Sequence, residues 1–272
     1  GEGRFEVTTP PWRHDCCRPA DLVEEVARIH GFDRIPAESV QRDEAVNRTV
    51  LDLSQLRRLR VRRALAARGL DETVTFSFVG DRQAQAFGGS HVRLANPISS
   101  DLVAMRPSLL PSLAEAVAKN QARALDDLAL FEVAAIYTEA EAGGQEWAAA
   151  GVRAGRPAPR HWAEAEREAD ALDAKGDAFA ALEAAGLDPA KLTLAREAPS
   201  HYHPGRSAAL KLGRVVVAHF GELHPKVTKL LDVEGRAAAF ELFLDRLPQP
   251  KRRKTRAKPM LVASAYQPVD RD

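Results

Sequence analysis

The sequence predicts an α+β fold, a mainly antiparallel sheet flanked by helices, preceded by a small helical domain. Three observations predict it. Long helical stretches are set apart from runs rich in β-branched and aromatic residues rather than alternating with them one for one. The final third is dense in strand-like segments. The polar stretch AESVQRDEAVNRT, residues 37–49, divides a short first unit from the bulk. With 272 residues, 45% hydrophobic and 28% charged, the chain can build a substantial core in roughly two domains.

In chain order, RFEVTTPPW (4–12) reads as a strand ending in prolines, and RPADLVEEVARIHGF (18–32) as a helix. Pro19 suits its first turn, Asp21 the positive end of its dipole and Gly31 its stop. Residues 51–69 form a long arginine-rich helix closed by Gly69, with Leu53, Leu56, Leu59, Val61 and Leu65 as its apolar stripe. ETVTFSFVG (72–80) reads as a strand, DRQAQAFGG (81–89) as a short helix and HVRLANPISS (91–100) as a strand running into a turn. Residues 108–123 form a second long helix, and DLALFEVAAIYTE (127–139) a buried strand. A hairpin-like turn (139–147) leads to a short strand (148–155), followed by an amphipathic helix (173–186) closed by Gly186. AALKLGRVVVAHFGEL (208–223) is strand-rich, and AAAFELFLDRL (237–247) passes from strand into a helical turn. PKRRKTRAKP (250–259) reads as a basic linker before a new strand.

Thirty-nine basic against 38 acidic residues leave a net charge of +1, so global charge argues for neither nucleic acid nor membrane. The two cysteines, Cys16 and Cys17, are neighbours; they cannot build a tetrathiolate zinc site, and a reducing cytoplasm is the simplest compartment. No run approaches the length of a membrane span, and no signal peptide is visible. The chain opens in a strand-like run without an initiator methionine and stops just after another, which reads as part of a longer polypeptide.

The stretch WRHDCCRPADLVEEVAR (12–28) gathers Asp15, Asp21, Glu24 and Glu25. Asp21 and Glu25 lie on one helical face, Glu24 is beside them, and Asp15 comes from the preceding loop. Four oxygen donors suit a hard divalent cation such as Mg²⁺. On spacing alone the same residues equally describe an acidic helix start, with Glu24 paired to Arg28. His201 and His203 form an H-x-H pair with no third ligand suggested, in what reads as a loop marked by Pro204-Gly205. His219 and His224 read as packing or surface residues. No G-x-S-x-G, P-loop or H-E-x-x-H is present.

Several stretches taken in order resemble one family. TTPPWRHDCCRPADLVEEVARIHGFDRIP is similar to the small helical domain of the β subunit of bacterial phenylalanyl-tRNA synthetases, and LANPISSDLVAMRPSLLPSL to the segment that follows in it. LFEVAAIY, LDAKGDAFAALEAAG, HPGRSAAL, GELHP and SAYQPVDRD fit the same order. The resemblance implies residues 1–38 as the C-terminal part of a B-five-type domain, 39–50 as a linker, and 51–248 as a class II aminoacyl-tRNA synthetase-like core. Residues 249–272 would be a basic linker and the first strand of an anticodon-binding domain.

It also implies that Asp15, Asp21, Glu24 and Glu25 ligate Mg²⁺, and that the chain packs against an α subunit in an (αβ)₂ heterotetramer. Contacts to tRNA(Phe) would fall mainly to domains outside the chain. The isolated chain could instead bury its interface, including helices 51–68 and 108–123, in a homodimer. No catalytic residue is expected: the strand LFEVAAIY is followed by Thr138 and Glu139 rather than an ATP-binding arginine. AAAFELFLDRL places alanines, Phe240 and Glu241 where nucleotide would have to approach backbone. Two rivals are independent amino-acid activation and a nucleic-acid-binding module centred on the first domain and the basic helix.

Overall fold

The computed structural model describes residues 3, 5–38, 50–89, 92–140, 143–159, 161–163 and 165–249. The chain divides into two compact units, Gly1–Val50 and Leu51–Asp272. Residues 39–49 of the predicted linker 39–50, and residues 250–272 of the predicted basic linker and strand 249–272, lie outside the described residues.

In the first unit, helix α1 (Pro19–His30) forms where its local signals put it. Asp21 Oδ2 accepts from the backbone N–H groups of Cys17 (2.9 Å) and Arg18 (2.6 Å), satisfying donors that the first turn leaves open. Gly31, at φ 103°, ends it and donates to the carbonyl of Ala27. The strand predicted over 4–12 does not form among the described residues; no neighbouring strand satisfies its backbone there, and Arg13 N–H instead closes a turn onto Pro10 O. No residue of α1 is buried, and Val23, Val26 and Ile29 face solvent.

The second unit begins with α2 (Leu53–Ala67), capped by Asp52, whose Oδ1 accepts from Gln55 N–H while the Gln55 side chain accepts from Asp52 N–H. Its buried face is Arg57, Val61 and Leu65, at i, i+4 and i+8; of the predicted stripe Val61 and Leu65 are buried, and Leu53, Leu56 and Leu59 only half-buried. Arg57 is tolerated inside because its guanidinium donates to three backbone carbonyls, of Ala185, Leu247 and Pro248.

The strand predicted over 72–80 is broken in two, β1 (Asp71–Glu72) and β2 (Phe78–Val79). Between them the chain leaves the ladder: Thr75 Oγ1 donates to Glu132 Oε2 rather than to backbone. Helix α3 (Asp81–Ala86) follows. The strand predicted at 91–100 shrinks to one bridge, Arg93 to Ala104, because Asn96-Pro97 turns the chain; β3 (Ala104–Met105) pairs with β2 instead.

Helix α4 (Leu110–Gln121) then leads into the hairpin of β4 (Leu128–Tyr137) and β5 (Gln145–Ala154). The hairpin is in register from Leu128↔Ala154 to Tyr137↔Gln145. β5 therefore starts inside the predicted turn. Helix α5 (Ala171–Ala184) is capped by Asp170. The run 208–223 resolves into part of β7 (Tyr202–Leu212) and β8 (Val215–Leu223), with β6 (Thr193–Ala195) beside β7. His203, predicted in a loop, lies in β7, whose register is irregular between Tyr202 and Ser207, around Pro204-Gly205. Helix α6 (Pro225–Leu230) and β9 (Ala237–Phe243) complete the unit.

The main sheet runs β1-β4-β5-β9-β8-β7-β6, parallel only at β1–β4, so β9 is the central strand. Helices α2 and α5 cover one face through Val61, Leu65, Ala178 and Leu182, packed on Phe131, Phe240 and Leu242. α4 and α6 cover the other through Leu113, Val117 and Val227, packed with Leu130, Ile136, Val152 and Phe243. Every residue of β9 is buried, as are residues 148–154 of β5. Double coverage explains why these strands read as unbroken apolar runs instead of alternating. Gly151 pairs with Phe240, and a Cβ there would lie 2.5 Å from its ring, so this crossing needs glycine.

Candidate functional site

Of the four predicted metal ligands, the structure brings two together. Arg13 Nη2 donates to Asp15 Oδ2 (2.7 Å) and to Glu25 Oε1 (2.6 Å), and its Nε to Asp15 Oδ1 (3.0 Å). Arg28 Nη2 donates to the other oxygen of Glu25 (2.6 Å). Ligand atoms of Asp15, Cys16 and Glu25 lie within 4.8 Å of one another. Asp21 is turned to the helix start, as described, and Glu24 is exposed on α1; neither joins that group.

Thus Glu25, not Glu24, is the partner of Arg28. Arg13 is the residue that sequence reasoning missed. Its signal was present: an arginine two positions before Asp15, in a stretch with four carboxylates.

The electrostatics follow from this pairing. Hydrogen bonding from Arg13 holds the Asp15 carboxyl down at about 2, and hydrogen bonds from Arg13 and then Arg28 do the same for Glu25. Arg13 is correspondingly raised, chiefly by Asp15 and Glu25, while burial pushes the Cys16 thiol up. Both carboxyls are therefore ionised at neutral pH. Their donor chemistry fits a hard divalent cation, with Arg13 standing in the space such an ion would share. Cys16, a buried and protonated thiol, is the wrong ligand for Mg²⁺.

The second region of interest is the α4-facing side of the central strands. Thr138, which follows β4, closes the hairpin through its N–H and hydroxyl onto Gly144 O. Glu241 of β9 is buried and accepts from Ser108 Oγ (2.8 Å) and Leu109 N–H (3.0 Å) at the start of α4. Burial lifts its carboxyl to about 7. His201 and His219 are held down, to about 3 and about 4, chiefly by burial.

Sheet order, strand direction and helix placement define the fold class: it is shared with the cores of class II aminoacyl-tRNA synthetases. A solved pyrrolysyl-tRNA synthetase of Desulfitobacterium hafniense superposes with a TM-score of 0.53 over 89% of this chain and 81% of that chain, at 14% identity. A second, PylSc of the same organism, gives 0.53 over 70% and 66%, at 15% identity. Those likenesses establish the fold.

The family is set by sequence. Residues 38–244 match the model of the phenylalanyl tRNA synthetase beta chain CLM domain, and residues 1–32 that of the tRNA synthetase B5 domain. The chain belongs to the phenylalanyl-tRNA synthetase beta chain family. It is 52% identical over 268 residues to the phenylalanine–tRNA ligase beta subunit of Paramagnetospirillum magneticum, and 49% identical over 274 residues to that of Rhodospirillum rubrum. These matches cover 98% and 100% of this chain but 34% of either relative, so the chain spans about a third of their length. No helix among the described residues is long and apolar enough to cross a membrane.

Proposed function

We propose that this chain is a non-catalytic assembly part of phenylalanine–tRNA ligase, the enzyme that uses ATP to join phenylalanine to its tRNA. Its core packs against an α subunit in an (αβ)₂ complex in the cytoplasm. The observation that carries this reading is the burial of β9 along its whole length and of β5 over 148–154. A core that activates an amino acid needs an open sheet face where ATP can lie, with a guanidinium to meet its phosphates. Here helices cover both faces, and Thr138 and Glu139 follow β4 where that arginine would stand.

The acidic group of the first unit is the Mg²⁺ site of this reading. Asp15 and Glu25 supply the converging oxygens, Asp21 and Glu24 the flanking ones, and Arg13 gives way when the ion binds. The ion would supply charge neutralisation and tie the loop to α1, and Mg²⁺ keeps several of its waters in sites of this kind.

Light scattering of the chain mixed with a phenylalanine–tRNA ligase α subunit, with and without Mg²⁺, tests both parts. A stable complex that weakens on chelation, and in the double variant Asp15→Asn/Glu25→Gln, is the expected result. A complex indifferent to both removes the metal role. Pyrophosphate exchange by the chain alone would overturn the non-catalytic reading.

A further inference from the structure

Four carboxylates are buried among the described residues of the second unit: Glu132, Asp177, Glu222 and Glu241. Three have an arginine. Glu132 pairs with Arg106 (3.1 Å), Asp177 with Arg153 (2.6 Å) and Arg68 (2.7 Å), and Glu222 with Arg206 (2.5 Å). Among the described residues Glu241 is the buried acid left without an ion pair. Its partners are a hydroxyl and a backbone N–H, both neutral. The cation nearest in influence, Arg246, is committed to both oxygens of Glu146, at 2.6 and 2.7 Å.

The groups around Glu241 are equally short of charge. Its direct cross-strand neighbour on β8 is His219, whose Nδ1 is buried with no hydrogen-bond partner. Tyr202 of β7 has its hydroxyl in the same condition and feels the charge of Glu241. The His201 ring lies 4.7 Å from those of Tyr202 and Phe87, tilted against each. On the helix side Ser108 Oγ serves twice, donating to Glu241 and accepting from Leu110 N–H (3.1 Å). The central strand is thus fastened to the first turn of α4 through one carboxyl group.

We infer that Glu241, with Ser108, His219 and Tyr202, is a proton-dependent latch between β9 and α4, shut when the carboxyl carries a proton and loosened when it ionises. An unpaired charge at this depth is costly, and the molecule relieves it by admitting water at the start of α4. A proton on the carboxyl removes that charge. The inference does not depend on the assembly role proposed above; it concerns the core itself.

The sign follows from burial. The carboxyl of Glu241 is raised from 4.5 to about 7, so its contribution is complete below the ordinary value and is lost as pH rises through about 7. His201 and His219 act oppositely, costing stability as pH falls below 6.5 toward about 3 and about 4.

Urea unfolding of the 272-residue chain, from about pH 5 to about pH 9, reads the latch. The wild-type midpoint, taken relative to that of Glu241→Gln so that the opposing histidines cancel, should fall between about pH 5 and about pH 7 with a slope approaching one proton and level off above. Ser108→Ala deletes a donor that favours the charged form and should move the transition to higher pH. Amide exchange at Leu109 and Leu110, corrected for its intrinsic pH dependence, should quicken above neutrality in wild type. An unchanged slope in Glu241→Gln would overturn the latch. If Glu241→Gln does not fold, infrared spectroscopy of the wild type decides: a buried protonated carboxyl band that bleaches through neutrality supports it, and no such band refutes it.

Discussion

Glu25 and Glu241 are the same chemical group driven in opposite directions. Glu25, in a unit with almost no buried residues, sits between two guanidinium groups and is held at about 2. Glu241, in the centre of a sheet covered on both faces, meets only neutral donors and rises to about 7. Local pairing wins where water still reaches the site; desolvation wins where it does not. The contrast extends to the two units. The second buries its apolar residues against a sheet. The first leaves Val23, Val26 and Ile29 of α1 in solvent, so its ordered shape rests on local hydrogen bonds and on Arg13.

The sharpest way to break this comparison is to make a paired buried acid resemble Glu241. Arg106→Met strips Glu132 of its cation and should cost about 3–5 kcal/mol in urea unfolding, because an uncompensated charge stays buried. A loss as small as that of a surface pair would mean that Glu132 is already screened.

Next in size is the contrast between the cores. Leu113→Ala, at a fully buried site of α4, should cost about 2–5 kcal/mol. Ile29→Ser, on the exposed face of α1, should stay within about 0.5 kcal/mol in the same experiment. Asp52→Ala should cost about 0.5–2 kcal/mol by uncapping α2, read as a lower thermal midpoint.

The smallest effect is at Arg13. The carboxylates of Asp15 and Glu25 are depressed, so their pairing is fully present above their ordinary values and is lost only as pH falls through about 2. Carboxyl carbon shifts in NMR titrations check this, and in Arg13→Ala both groups should titrate at higher pH.

Much of the fold was legible. Pro19, Asp21 and Gly31 bounded α1, Gly69 closed α2, and the run LFEVAAIY announced a buried strand. These signals work within a turn or two of the chain. The strand over 72–80 misled because its alternation, with Val74 and Phe76 outward, is real, but its neighbours support pairing only at 71–72 and 78–79. Arg57 was hidden for a related reason. Its carbonyl partners at 185, 247 and 248 are more than a hundred residues away, and nothing nearby marks it as internal. At the candidate metal site, residue types and spacing named all four carboxylates. Only geometry separated Asp15 and Glu25, joined by Arg13, from Asp21, spent on the helix start.

By itself the sequence determined the fold class, the helix stops at Gly31 and Gly69 and the family, because caps, periodicity and motif order are all local in the chain. Tertiary structure decided which charges are paired and which stand alone. Ser108 meets Glu241 across 133 residues and Arg106 meets Glu132 across 26, and only the folded sheet puts a guanidinium beside one buried carboxyl and neutral donors beside the other.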